Sequence, residues 1–212
     1  MSIDRILIQR HSRSFGNEGL VKGIPDHLIP LSPAGRLQSV RMGDEIMPKI
    51  LDEFGVEKNS VYALTSPYVR AIQSYEIMEL GKFQEYVADF HEDDRLIEWG
   101  AKLSYGMSKN ERIFSYPKIK TPGARNRMME AMRRDIYSLV DEIEQFSAAH
   151  IKTMLILTHM TPYRMMTQAL GRHSDFYMHY DPWPENCAVR HLERNSQGVF
   201  QDMYYVFRGF GR

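Results

Sequence analysis

A hydroxyl-bearing residue followed by proline reads as a helix start at Ser32-Pro33, Ser66-Pro67 and Thr161-Pro162. A Ser or Thr oxygen at the N-cap accepts a backbone N–H that the helix cannot satisfy, and proline loses nothing at the first helical position. Two of these signals follow short apolar runs, Val61 to Thr65 and Thr153 to Thr158, and another such run, Ile3 to Ile8, lies near the start of the chain. Runs of this kind suit strands buried on both faces. Strands that alternate with capped helices predict an α/β fold, a mostly parallel central sheet with helices on both faces.

The remaining elements fit that frame. The first strand is expected over about Arg5 to Gln9. After Pro33, Leu37, Val40, Met47, Ile50 and Leu51 predict the apolar face of a helix that stops before Gly55. A helix after Ser66-Pro67 runs to about Leu80, and Tyr86 to Phe90 is a third strand. Met128, Met129, Met132, Ile136, Leu139, Val140 and Ile143 recur at helical spacing and predict a long helix from Arg125 to Phe146. The helix opened by Thr161-Pro162 ends at Gly171. Cys187 to Leu192 and Val199 to Val206 are expected to pair as a hairpin around Asn195 to Gly198. Between Ala101 and Ala124 the pattern is irregular, with Gly106, Pro117, Pro122 and Gly123. The 212 residues therefore suit a single domain, 1–212, with a cap or lid segment at about 98–126.

Charge and cysteine usage narrow the function. Lysine plus arginine equals aspartate plus glutamate, 27 each, which argues against a general nucleic-acid binder. The single cysteine, Cys187, excludes an intramolecular disulfide and fits a reducing compartment. The N-terminus lacks a signal-peptide pattern, and no apolar run approaches the ~20 residues that span a bilayer. A soluble, cytoplasmic protein with no membrane partner is expected.

The chemistry gathers where apolar runs end. Ile3 to Ile8 gives way to Gln9-Arg10-His11 and then to a polar loop, Ser12 to Pro30, carrying Gly16, Gly19 and Gly23. Loops of this length commonly serve as active-site or lid loops. Ligands in open α/β sheets bind outside the carboxyl ends of strands. Arg10-His11 at such an end suggests a histidine nucleophile facing a phosphoryl group held by arginine. Arg70 falls in the first turn of its helix, against the helix dipole, as a residue that binds an anion would. Thr153 to Thr158 ends at a second histidine, His159.

Together these motifs resemble the histidine phosphatase, or phosphoglycerate mutase-like, superfamily. The hallmark of a strand ending in Arg-His-Gly, a polar residue, Ser or Thr and a nearby Asn reads here Arg10-His11-Ser12-Arg13-Ser14-Phe15-Gly16-Asn17. The next mark reads Leu31-Ser32-Pro33-Ala34-Gly35-Arg36-Leu37-Gln38. The third reads Ser66-Pro67-Tyr68-Val69-Arg70-Ala71-Ile72-Gln73-Ser74, and the fourth is His159. A loop, Pro184-Glu185-Asn186-Cys187, is similar to one in a branch of the family. The matches occur in order and span nearly the whole chain.

The resemblance implies that His11 attacks phosphorus and carries the phosphoryl group transiently. Arg10 and Arg70 would bind the phosphate oxygens, with His159 and Asn17 as further donors. Glu98, in Leu96-Ile97-Glu98, is the candidate acid for the leaving group, with Asp93 and Asp94 as alternatives. Arg13 would add positive charge at the rim and favour a multiply anionic substrate. No cofactor and no metal is expected, because arginines supply the positive charge. Two departures stand out: Ser12 and Met160 replace glycines that usually follow the two histidines. The leading expectation is a phosphomonoester phosphatase acting on a small phosphorylated substrate. A phosphoglycerate mutase and a catalytically silent binder of phosphorylated ligands are the alternatives. Tyr177, Tyr180 and Trp183 are candidates for a homodimer contact or for pocket packing.

Overall fold

A computed structural model of the chain describes residues 3–98, 122–171 and 184–210. Six strands form one sheet: β1 (Arg5–Arg10), β2 (Val61–Thr65), β3 (Val87–Glu92), β4 (Thr153–Thr158), β5 (Val189–Arg194) and β6 (Phe200–Phe207), in the order β3-β2-β4-β1-β5-β6. The pairings from β3 to β1 are parallel, and β5 and β6 join antiparallel at one side. The fold is thus the expected α/β sheet, mixed but mostly parallel.

The apolar strands are buried on both faces by two separate cores. Ile6, Ile8, Met154 and Ile156 point to one face, where they meet α4 (Pro122–Gln145) and α5 (Met160–Leu170). Leu7, Leu155 and Leu157 point to the other, among residues of α2 (Met47–Glu53) and α3 (Val69–Glu79). This period-two division is why β1 and β4 read as continuous apolar runs and not as alternating ones. Each fully buried Ile or Leu contributes roughly 1.5–3 kcal/mol relative to exposure. Met132, Ile136, Leu139, Val140 and Ile143 are buried as the helical period requires. The side chains of Met128 and Met129 lie outside the described residues.

The helix after Pro33 departs from expectation. It runs as α1 (Pro33–Arg41), a wide π turn over Met42–Ile46, and then α2. Pro48 explains the turn. A proline inside a helix clashes with the carbonyl one turn back, and the Met47 N–H bonds to Met42, five residues back, which opens that turn. Leu37 and Val40, expected on the buried face, are 68% and 44% exposed. Gly35, Gln38 and Ser39 are buried in their place. The inward face of α1 is polar because it packs against the loop after β1, whose backbone needs hydrogen-bond partners.

Strand β3 begins later than expected, at Val87, and β5 begins at Val189. The hairpin turn is as expected: Asn195 accepts from Gln197 and Val199 through its side chain, and Gly198 takes a positive φ of 78°. Of the expected cap, only Glu98 and the residues from Pro122 onward lie among the described residues. Tyr177, Tyr180 and Trp183 lie outside them. Among the described residues, no helix is long and apolar enough to cross a membrane.

Candidate active site

Strands β1 and β4 are neighbours in register, with Arg10 opposite Thr158, so each delivers its next residue to the same end of the sheet. Those residues are His11 and His159. The His11 N–H donates to the Thr158 carbonyl at 2.9 Å, and the two imidazole centroids lie 5.0 Å apart. Both rings are buried.

The tautomer of His11 follows from its neighbours. Nδ1 lies 2.6 Å from the Ser12 carbonyl, which can only accept, so Nδ1 carries the proton. Nε2 is left with its lone pair, toward which Arg70 Nε donates at 3.4 Å. Burial first, then the positive charges of Arg70 and Arg10, hold the His11 pKa well below the usual histidine value. His11 is therefore a neutral imidazole with a basic nitrogen facing a cation.

His159 is held differently. Its Nε2 lies 2.8 Å from Ser66 Oγ, and the same oxygen accepts the Tyr68 N–H at 3.4 Å. A serine hydroxyl carries one hydrogen and two lone pairs, so Ser66 can give its hydrogen to Nε2 while accepting from Tyr68, an arrangement in which the ring proton lies on Nδ1. Nδ1 is buried with no hydrogen-bond partner among the described residues. Burial, then Arg70, His11 and Arg10, lower the His159 pKa as well. The Tyr68 ring packs 4.9 Å from His159, and the Arg70 guanidinium lies over it at 5.0 Å.

Ser66-Pro67 is thus not a helix cap, contrary to expectation. The N-cap of α3 is Tyr68, without a side-chain cap. The Ser66 hydroxyl is committed to His159, and the helix starts later for that reason. Arg70 does lie in the first turn and is 5% exposed.

The loop after β1 is fixed from several sides. Ser12, where a glycine was anticipated, fits because its hydroxyl meets Ser39 Oγ at 2.7 Å and Cys187 Sγ at 3.0 Å, while its N–H donates to Ser74 Oγ. Gln38 Oε1 accepts the Arg13 N–H, and Gly35 sits so close that a Cβ there would lie 1.8 Å from the Arg13 carbonyl oxygen. From the far end of the chain, Asn186 Nδ2 donates to the His11 carbonyl at 3.1 Å, and Arg10 Nη1 donates to the Pro184 carbonyl at 2.6 Å. Cys187, at a positive φ of 63°, donates its N–H to the Arg10 carbonyl. Met160, at the second glycine position, is the first residue of α5 and half-buried.

The other expected site residues are placed as follows. Asn17 is exposed, and its Oδ1 accepts from the Ser14 N–H, the Ser14 hydroxyl and Asn186 Nδ2, so it ties the loop together. Arg13 contributes backbone contacts to Gln38 and Ser32. Glu98 is half-buried, and its carbonyl accepts from the hydroxyl of Tyr68, the ring that packs against His159, at 3.3 Å. Asp93 is engaged elsewhere: both its oxygens bind Arg95, which also pairs with Glu142 on α4. Asp94 is exposed. Among the described residues, no group of three His, Cys, Asp or Glu side chains could hold a metal ion.

Sequence reasoning missed Ser66, Ser39 and Gln38 as supports, and Asp26, whose carboxylate pairs with Arg70 at 3.2 Å. Gln38 closes the Leu31-to-Gln38 motif, which was its available signal; no local pattern marks Ser39, because the apolar residues of α1 face outward. Asp26 lies in an irregular loop where no period marks it.

The family model of the histidine phosphatase superfamily (branch 1) matches residues 6–205. The chain belongs to that superfamily. Solved structures of similar fold include mycobacterial glucosyl-3-phosphoglycerate phosphatase in complex with VO3, at 16% identity over 98% of this chain and 100% of that one, with a TM-score of 0.65. Bacillus stearothermophilus YhfR shares 21% identity over 94% of this chain and 95% of its own, with a TM-score of 0.62. Phosphoglycerate mutase from Bacillus anthracis shares 13% identity over 96% and 92% of the two chains, with a TM-score of 0.63. No curated protein matches the chain by sequence. Phosphatases and mutases thus share its architecture.

Proposed function

We propose that the protein is a metal-independent phosphomonoester phosphatase that works through a phosphohistidine at His11 Nε2. The observation that carries this reading is the fixed tautomer: Nδ1 bonded to the Ser12 carbonyl, and Nε2 left basic beside Arg70. The depressed pKa keeps that nitrogen unprotonated at neutral pH, as a nucleophile requires.

In the first step the Nε2 lone pair attacks phosphorus and the ester P–O bond breaks. The departing alcohol takes its proton from Glu98. In the second step water attacks phosphorus and gives its proton to the Glu98 carboxylate. The P–N bond breaks, inorganic phosphate leaves, and neutral His11 is restored. Arg10 and Arg70 balance the charge on the transferring oxygens, and His159 donates through Nδ1, whose lack of a partner among the described residues supports that role. Donors of this kind, fixed before the reaction, supply most of what phosphoryl transfer needs. The substrate is a small phosphorylated molecule.

The test is hydrolysis of 4-nitrophenyl phosphate in the presence of a chelator by wild type and His11→Ala. Activity that survives chelation and disappears in the variant is the expected result. Equal activity in both would overturn the mechanism. Tight phosphate binding without turnover in the wild type would favour a silent ligand-binding role.

A further inference from the structure

The loop between β1 and α1 brings a carboxylate of its own onto the phosphoryl-binding arginine. All three nitrogens of Arg70 are engaged within the protein: Nε toward His11 Nε2 at 3.4 Å, Nη1 to the Asp26 carbonyl at 2.6 Å, and Nη2 to Asp26 Oδ2 at 3.2 Å. A guanidinium holds an oxyanion best with two parallel N–H groups. Asp26 takes one N–H from each terminal nitrogen, through its carbonyl at Nη1 and its carboxylate at Nη2, so one prong of the fork that would grip a phosphoryl group already holds an anion of the protein.

The two contacts of Asp26 differ in character. Its carbonyl is fixed by the 3-10 turn over Asp26–Leu28, where it also accepts the Ile29 N–H. Its carboxylate is on a side chain 41% exposed, whereas the Arg70 side chain is 6% exposed. The carboxylate can therefore rotate away toward solvent while the backbone contact and Arg70 remain in place.

We propose that Asp26 is a specificity-determining residue: its carboxylate competes with the incoming phosphoryl group for Arg70 and is displaced when substrate binds. A dianionic phosphoryl group gains by the exchange, because it brings more charge to Arg70 than the carboxylate it replaces. A singly charged anion exchanges like for like and gains nothing. The same competition weakens the hold on inorganic phosphate and speeds its release. This inference rests on the reading of Arg70 as a phosphoryl-binding residue.

The test is calorimetric binding of inorganic phosphate to the full chain, for wild type and Asp26→Asn. The amide keeps the side-chain size and the backbone contact and removes the charge. Phosphate is expected to bind the variant roughly two- to fivefold tighter, the scale of a partly exposed ion pair, with stronger product inhibition during turnover. Unchanged or weaker binding, at an unaltered melting temperature, would overturn the proposal. Asp26→Ser serves as the second variant should the amide fold poorly, with the same expected gain. If wild type binds no phosphate and Arg70→Ala behaves identically, the phosphoryl reading of the site itself falls. Phosphate binding that depends on Arg70 yet gains nothing from Asp26→Asn overturns only the competition.

Discussion

Ser66 Oγ stands 2.8 Å from His159 Nε2, with both residues wholly buried. A Ser66 hydroxyl that donates to Nε2 leaves the His159 proton on Nδ1, the nitrogen proposed to serve as a donor. Ser66→Ala should lose about 1–2 kcal/mol of this support, or roughly five- to thirtyfold in kcat/KM. Ser66→Thr should recover much of the loss. Steady-state kinetics on 4-nitrophenyl phosphate, with melting temperatures as control, decide it. Equal kcat/KM in Ser66→Ala would show that the hydroxyl does not set the tautomer.

The buried histidines make stability depend on pH. His11 and His159 have folded pKa values depressed below 6.5, chiefly by burial. As pH falls through about 6.5, the unfolded chain takes up protons that the folded one does not. Stability is therefore full above that pH and declines below it, by up to ~1.4 kcal/mol per pH unit for each histidine. Urea unfolding at pH 7.5, 6 and 5 should show the decline, and His11→Ala should make it shallower. A flat profile would mean that the rings are not held neutral.

Acid catalysis by Glu98 should reveal itself through the leaving group. Nitrophenolate departs without a proton, whereas an alkoxide does not. Glu98→Gln should therefore lower kcat/KM, which reports the first step, for an alkyl phosphate by about 100-fold or more, with a much smaller effect on kcat/KM for 4-nitrophenyl phosphate. Asp93→Asn should leave that ratio alone, since Asp93 is occupied by Arg95. An equal effect of Glu98→Gln on both substrates would remove it as the acid.

Gly35 and Gly16 should respond oppositely to alanine. A Cβ on Gly35 would lie 1.8 Å from the Arg13 carbonyl oxygen, whereas one on Gly16 meets its nearest neighbour, Ser14 Oγ, at 3.4 Å. Gly35→Ala should cost at least about 1–3 kcal/mol and should displace the His11 loop, with loss of activity. Gly16→Ala should be nearly silent. Denaturant midpoints and kcat for the pair test this directly.

Cys187 should be inert in the folded protein. Burial pushes its thiol up to about 12, and reactivity belongs to the thiolate. Iodoacetamide at pH 8 should label the protein only after denaturation. Rapid native labelling would show that the Ser12–Cys187 contact opens.

Elements whose burial is apolar were readable from sequence; those whose burial is polar were not. Strands β2 and β4 fall where their apolar runs predicted, and the inward face of α4 follows its helical period. Helix α1 misleads because Leu37 and Val40 face outward while Gln38 and Ser39 serve the loop beneath. Ser66-Pro67 misleads for a related reason: an oxygen that suits a helix cap suits a histidine equally well, and only the parallel pairing of β2 with β4 brings His159 to it. His11, Arg70 and His159 were visible as strand-end and helix-start residues. The Asp26–Arg70 pair was not, since no local pattern links positions 44 apart.

The Asn186 contact has a consequence for how the molecule comes into being. Its amide reaches back 175 residues to the His11 carbonyl, and β5, which flanks β1, follows it. A ribosome must add those 175 residues after His11 before the contact can form, and closing so long a loop is slow relative to local structure. The His11 loop can thus meet Gln38, Ser39 and Ser74 early in synthesis, but it gains its Asn186 anchor only as β5 is made.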